Sequence, residues 1–193
     1  MTIKQMLFHL RRTGQMLAAY VRSHWVSGLL QLLLVALVFG GIHLWQTRNV
    51  LNGPAPDWII QVVDSSGEVS HTTLVQWRAR YPDQAVAIHF WAQWCPVCRV
   101  EENSITRLGR DWPVLTVAMQ SGQPKQVAAT MRTRNLPWQA VVDERGVISR
   151  AHGIHAVPAF VVVDSYGRLR TPTVGYTTEI GMRLRLLWVQ LSS

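Results

Sequence analysis

The stretch that most restricts this chain is residues 85–98, Ala-Val-Ala-Ile-His-Phe-Trp-Ala-Gln-Trp-Cys-Pro-Val-Cys, which holds the only two cysteines. Residues 85–91 form an apolar run that reads as a buried strand, and residues 99–110 read as a helix. Cys95 and Cys98 therefore stand where a strand gives way to a helix. There the first cysteine faces backbone N–H groups without a partner inside the helix, and the positive end of the helix dipole. Both stabilise a thiolate, the reactive form of cysteine. Pro96 suits the first helical turn, where its missing N–H is not needed. Val97 adds an apolar side chain and no hydrogen-bond donor.

Three uses of such a pair compete. A purely structural Cys95–Cys98 disulfide closes so small a loop that it restricts the unfolded chain little. A structural zinc site takes four protein ligands, and only His152 and His155, far along the chain and closely spaced, would complete the set. In the third use Cys95 is an exposed nucleophile that attacks a partner disulfide. Cys98, one turn into the helix and more buried, then resolves the mixed disulfide. We expect this third use: a redox-active Cys95–Cys98 disulfide, with no other cofactor and no metal.

Residues 25–45 contain no charged side chain and carry Trp25 and Trp45 at their ends. About 20 apolar residues cross a hydrocarbon layer of roughly 30 Å, and aromatic rings favour its edges. A cleaved signal peptide is the alternative, but some two dozen residues precede the run and no Ala-x-Ala site follows it. The net charge of +8 is concentrated here: Lys4, Arg11, Arg12 and Arg22 precede the span with no acid, and all 11 Asp and Glu lie beyond Asn49. Such asymmetry places the N-terminus in the cytoplasm. The C-terminal domain then lies in the periplasm of a bacterium, where disulfides persist. The remaining basic excess is small and scattered, which argues against nucleic acid.

The expected organisation is a basic N-terminus over 1–24, a transmembrane helix over 25–45, a linker over 46–57 and one folded domain over 58–193. Within it, strands are expected at 58–63, 85–91, 114–119, 140–143, 159–164 and 168–170. Helices are expected at 72–80, 99–110, 124–134 and 178–191. Strands alternating with helices imply an α/β fold, a mixed sheet with helices on both faces.

The run Phe90-Trp91-Ala92-Gln93-Trp94-Cys95-Pro96-Val97-Cys98-Arg99 resembles the active-site stretch of the thioredoxin superfamily. With Ala55-Pro56-Asp57-Trp58 and residues 141–167, the likeness extends to the membrane-anchored TlpA-like (redoxin) branch, and within it to the suppressor of copper sensitivity D type. The resemblance covers about residues 55–190. It implies a thioredoxin-like fold and a cis Pro158 facing the cysteines, with Val157 offering backbone groups to a bound substrate chain. Thioredoxins place a buried carboxylate six residues before the first cysteine; here that position holds His89. His89 is either a packed core residue or a group that takes the Cys98 proton or stabilises a thiolate. Trp91 reads as core, Trp94 as part of a protein-docking surface with Pro96 and Val97, and Glu101 and Glu102 as a solvated helix face.

These observations point to a membrane-tethered thiol–disulfide oxidoreductase acting on protein thiols and disulfides. It leans toward a reductase, because Pro96-Val97 donates few hydrogen bonds to a thiolate; Val157 argues the other way. Two cysteines cannot relay electrons across a bilayer, so a separate membrane or periplasmic redox partner must recharge it. The alternative is an anchored copper or zinc binder using Cys95, Cys98 and His152 or His155, since soft thiolates suit Cu(I). A peroxidase is a third reading, but Gln93-Trp94-Cys95 lacks the threonine-containing loop those enzymes place before their cysteine.

Overall fold

A computed structural model describes residues 25–42, 47, 50 and 53–193. The basic N-terminus and residues 43–45 of the expected span lie outside the described residues. The chain divides after Trp45 into two units. The first contains helix α1, Trp25–Ile42, whose 18 residues carry no charge. At 1.5 Å per residue it is about 27 Å long, enough to cross a membrane. Its leucines, valines and Phe39 are exposed.

The second unit is a mixed eight-stranded sheet with helices on both faces. In chain order it comprises β1 (Gly53–Pro54), β2 (Ile59–Asp64), β3 (Val69–Thr73), α2 (Leu74–Arg78), β4 (Val86–Trp91), α3 (Pro96–Leu108), β5 (Val114–Met119), α4 (Pro124–Thr133), β6 (Gln139–Asp143), α5 (Val147–Ala151), β7 (Ala159–Val163), β8 (Arg168–Val174) and α6 (Glu179–Ser192). The strands lie in the order β1-β8-β7-β4-β5-β6-β2-β3. The β4–β5 and β5–β6 pairs are parallel and the others antiparallel.

Strand β4 is buried along its whole length, and its alternating side chains feed two cores. Ala87 and Trp91 face Ile105 and Leu108 of α3, Met131 of α4, and Met182 and Leu186 of α6. Val86, Ile88 and Phe90 face Ile60, Leu74, Trp77 and Ile154 on the other side. Burying each such large side chain contributes roughly 1.5–3 kcal/mol, so both faces of β4 are held firmly. The period of two puts His89 on the same face as Ala87, Trp91 and α3.

Four expectations need correction. Residues 72–73 belong to β3, which pairs with β2 through the register Ile59↔Thr73; Ser70, His71 and Thr72 alternate without an apolar face, so the sequence hides this strand. Thr73 then caps a helix of only Leu74–Arg78, with Gln76 closing the capping box. Helix α5 was unexpected: Asp143 accepts the backbone N–H groups of Ile148 (3.2 Å) and Ser149 (2.9 Å) and builds it locally. The expected 168–170 strand runs on to Val174, past Thr171 at φ 44° and Pro172, because the β7–β8 ladder shifts register between Phe160 and Val162. Finally, the sheet begins inside the stretch read as linker. Gly53 and Pro54 pair with Leu169 and Arg168, and Ala55 N–H donates to Gly167 O at 2.8 Å.

Candidate active site

Cys95 is the N-cap of α3, with Pro96 at the helix start. Its Sγ accepts the backbone N–H of Cys98 at 3.2 Å. Its own S–H donates to the Val157 carbonyl at 3.6 Å. The helix terminus thus offers a donor to the sulfur while the Val157 carbonyl, in the loop before β7, accepts the hydrogen bond of its S–H. The Val157–Pro158 peptide bond is cis, and Gly175 N–H donates to Pro158 O at 2.7 Å, fixing that loop to the end of β8. Both cysteines are unbridged thiols. Cys95 was expected to be exposed, yet only 4% of it is, against 1% for Cys98, because the Val157 loop lies across the sulfur. Trp94 is 59% exposed and Val97 is exposed beside Cys95. The Trp94 indole N–H donates to Gln120 O at 3.1 Å, which fixes the ring at the surface. Val100, one turn after Val97 and also exposed, extends this apolar rim and went unnoticed in the sequence.

The Cys98 thiol is held well above its ordinary pKa, first by burial, then by its hydrogen bond with Cys95 and by the charges of Cys95 and Glu101.

Glu101 overturns the reading of a solvated helix face. It is 1% exposed and sits one turn beyond Cys98. One carboxylate oxygen accepts the Thr177 N–H, and the other lies 3.3 Å from His89 Nε2. That distance suits an ion pair, although neither ring nitrogen of His89 makes an aligned hydrogen bond. His89 packs edge-on against Trp138 at 6.0 Å, and Trp91 against the same ring at 5.5 Å. Position 89 therefore does not simply replace a carboxylate by a histidine, because α3 supplies a carboxylate to the same place. The signal was in the sequence: Cys98, Glu101, Ile105 and Leu108 share one helical face at i, i+3, i+7 and i+10, and all four are buried. Glu102 points the other way and pairs with Arg134 at 2.7 Å. Arg134 also donates to Gln93 O at 2.8 Å, which braces the turn leading into Cys95.

The histidines proposed as metal ligands are elsewhere. His152 is buried on the opposite face of the sheet, with Nδ1–H donating to Ile148 O at 2.9 Å and Phe90 at 5.7 Å. Burial there lowers its pKa. His155 is exposed. Among the described residues no three His, Cys, Asp or Glu side chains are grouped to hold a metal. A broad groove at the opposite end of the sheet, lined by Tyr81, Trp112, Pro137 and Trp138 among others, contains neither cysteine.

Comparison with known proteins agrees with this geometry. Residues 52–171 match the model of the AhpC/TSA family. The thioredoxin-like protein YneN of Bacillus subtilis is 27% identical over 174 residues, which cover 84% of this chain and 96% of that protein. The thiol:disulfide interchange protein DsbE of Allochromatium vinosum is 24% identical over 150 residues, covering 75% and 79%. The crystal structure of a thioredoxin-family thiol:disulfide interchange protein from Chlorobium tepidum superimposes with a TM-score of 0.55 at 20% identity. That alignment covers 72% of this chain and 97% of the other, and establishes the shared thioredoxin-like fold.

Proposed function

Because this chain belongs to the AhpC/TSA family of thioredoxin-like proteins, we propose that its chemistry is thiol–disulfide exchange with other proteins. The carrying observation is Cys95 Sγ held between the Cys98 N–H and the Val157 carbonyl. In the reductive direction Cys95 passes its proton away and attacks a substrate disulfide. A Cys95–substrate mixed disulfide forms and one substrate sulfur leaves as a thiolate. Cys98 then loses its proton and attacks Cys95 Sγ, which releases the second substrate sulfur and leaves the Cys95–Cys98 disulfide. Two electrons move from the pair to the substrate, and no cofactor beyond the pair is required.

Each neighbour has a role in this scheme. The Val157 and Pro158 backbone borders the substrate chain beside Cys95, and Trp94, Val97 and Val100 form the apolar surface on which it docks. Glu101, one turn from Cys98 and backed by His89, is the group nearest in sequence on that buried face to receive the Cys98 proton. The raised Cys98 pKa keeps that thiol silent until the mixed disulfide forms.

Helix α1 tethers the domain to a membrane. The basic residues before it set the N-terminus in the cytoplasm by the positive-inside rule, so the domain faces the periplasm. A second redox protein in or beside the membrane recharges the pair, and the net direction is reductive. A potential near about −270 mV supports that direction, and one near about −120 mV reverses it. The reading as a whole is tested by trapping. Cys98→Ser should accumulate a protein held through Cys95, which thiol reductant releases. A Cys98→Ser protein that captures nothing, while both wild-type thiols alkylate equally slowly, refutes it.

A further inference from the structure

Helix α6 is apolar on two opposite sides. Met182, Leu186 and Val189 are buried in the core under the sheet. Ile180, Leu184, Leu187, Trp188 and Leu191 are 72%, 61%, 46%, 68% and 85% exposed. At 3.6 residues per turn these five fall within a sector of about 100°, an apolar stripe as well defined as the buried one. Core packing does not require it, because the core already has its own three residues. The polar residues of α6 separate the two stripes, with Arg183 on one flank of the exposed stripe and Arg185 on the other.

The chain itself says what lies opposite. Only ten residues, 43–52, separate the end of α1 from Gly53. Fully extended, a chain of that length reaches about 35 Å, so the domain is confined close to the bilayer that α1 crosses. Gly53 lines the same surface cavity as Trp188, Arg168 and Arg170. Gly53 thus stands at the sheet edge beside the C-terminal half of the exposed stripe, while Val50, three residues earlier, is buried in the core on the other face of the sheet. Cations flank the stripe: Arg168 is exposed and, like Arg185, has no carboxylate partner among the described residues, Arg185 being half-buried with its guanidinium donating to Gly181 O at 3.0 Å, whereas Arg183 and Arg170 pair with Asp111 and Asp164. Trp, Leu and Ile on one sector with arginines beside it is the composition of a helix lying in the plane of a membrane surface.

We propose that the exposed face of α6 seats on the surface of the same bilayer, its apolar stripe at the headgroup boundary and Arg168 and Arg185 on anionic headgroups. Because α6 is tied to α3 through Arg107–Glu179 and to the turn that follows α3 through Arg183–Asp111, this contact sets the orientation of the helix that carries both cysteines. The redox pair is then presented to partners embedded in the membrane rather than tumbling on its tether. The proposal rests on the membrane-anchor reading of α1, and the experiment separates the two.

The full chain is reconstituted in vesicles of phosphatidylcholine, with or without phosphatidylglycerol, carrying a photoactivatable phenylalanine at one position: Leu184, Leu191, Phe39 in α1, or Val75, an exposed residue of α2. Irradiated adducts are identified by mass. Lipid adducts from positions 184 and 191 should exceed those from 75 by about tenfold and rise when phosphatidylglycerol is present. Arg168→Gln with Arg185→Gln should remove that rise. Adducts at 184 to a second copy of the chain, or no more lipid than at 75, overturn the seating while Phe39 still labels lipid. A Phe39 probe that meets no lipid instead removes the anchor itself, and the seating with it.

Discussion

The two faces of the sheet each bury a histidine, and they treat it differently. His89 lies 3.3 Å from the Glu101 carboxylate, on the face covered by the cysteine helix. His152 lies on the other face, held by one backbone carbonyl and by Phe90. The adjacent residues His89 and Phe90 thus serve opposite cores. The first face concentrates groups that can exchange protons: Cys98, Glu101 and His89. The second is an apolar core with a neutral imidazole inside it. One side of β4 is built for chemistry and the other for holding β4 in place.

The sharpest break of that comparison is Cys95→Ser. It should reduce disulfide exchange, followed by insulin reduction, to the uncatalysed background while altering unfolding free energy by less than about 1 kcal/mol. Retained exchange would mean that Cys95 is not the attacking sulfur. On the opposite face, Leu115→Ala should cost about 2–5 kcal/mol of stability by leaving a cavity, with the exchange rate of the folded protein unchanged. A slowed rate well below the unfolding transition would show that the two faces are not separable.

The pH dependence of stability distinguishes the faces from opposite ends of the scale. Cys98 keeps its proton to higher pH when folded than when unfolded. The folded state therefore binds more protons above the unfolded thiol value. Reduced protein should be fully stabilised by this group below about pH 8.5 and lose stability above it, by up to about 1.4 kcal/mol per pH unit. Cys98→Ser should flatten that slope in urea titrations. His152 has a lowered folded pKa, so its contribution is complete above the unfolded value of about 6.5 and is lost as the pH falls below it. His152→Gln should remove that acid loss without touching the reduction potential.

The smallest effect belongs to Glu101. Its charge is the weakest of the causes that raise the Cys98 pKa, so Glu101→Gln should lower that value by less than about one unit, roughly 1.4 kcal/mol. Ultraviolet titration of the thiolate reads it directly. His89→Ala should move the same value or the reduction potential, and His152→Ala neither. If the two histidines behave alike, the division of labour between the faces fails.

Much of this was legible in the primary chain. The apolar run 85–91 defined β4 and hence the point at which Cys95 meets a helix, because a strand buried on both faces needs a continuous apolar sequence. The length and neutrality of residues 25–45 marked an apolar helix for an equally local reason, and residues 25–42 form one long and apolar enough to cross a membrane. Cys98, Glu101, Ile105 and Leu108 also shared a helical face in plain view, although a charged residue on such a face invites the assumption that it is solvated.

Other features depended on partners distant in the chain. Burial of Cys95 comes from Val157, 62 residues away, and the Glu101 carboxylate is fixed by Thr177, 76 residues away. Strand β3 exists because β2 offers it a ladder, not because its own residues form a pattern. Local sequence set the reactive pair at a helix start, since backbone dipoles and capping act within one turn. Only the folded sheet decided which sulfur is shielded, which carboxylate approaches His89 and which side of α6 stays uncovered, since those depend on contacts between segments that no spacing encodes.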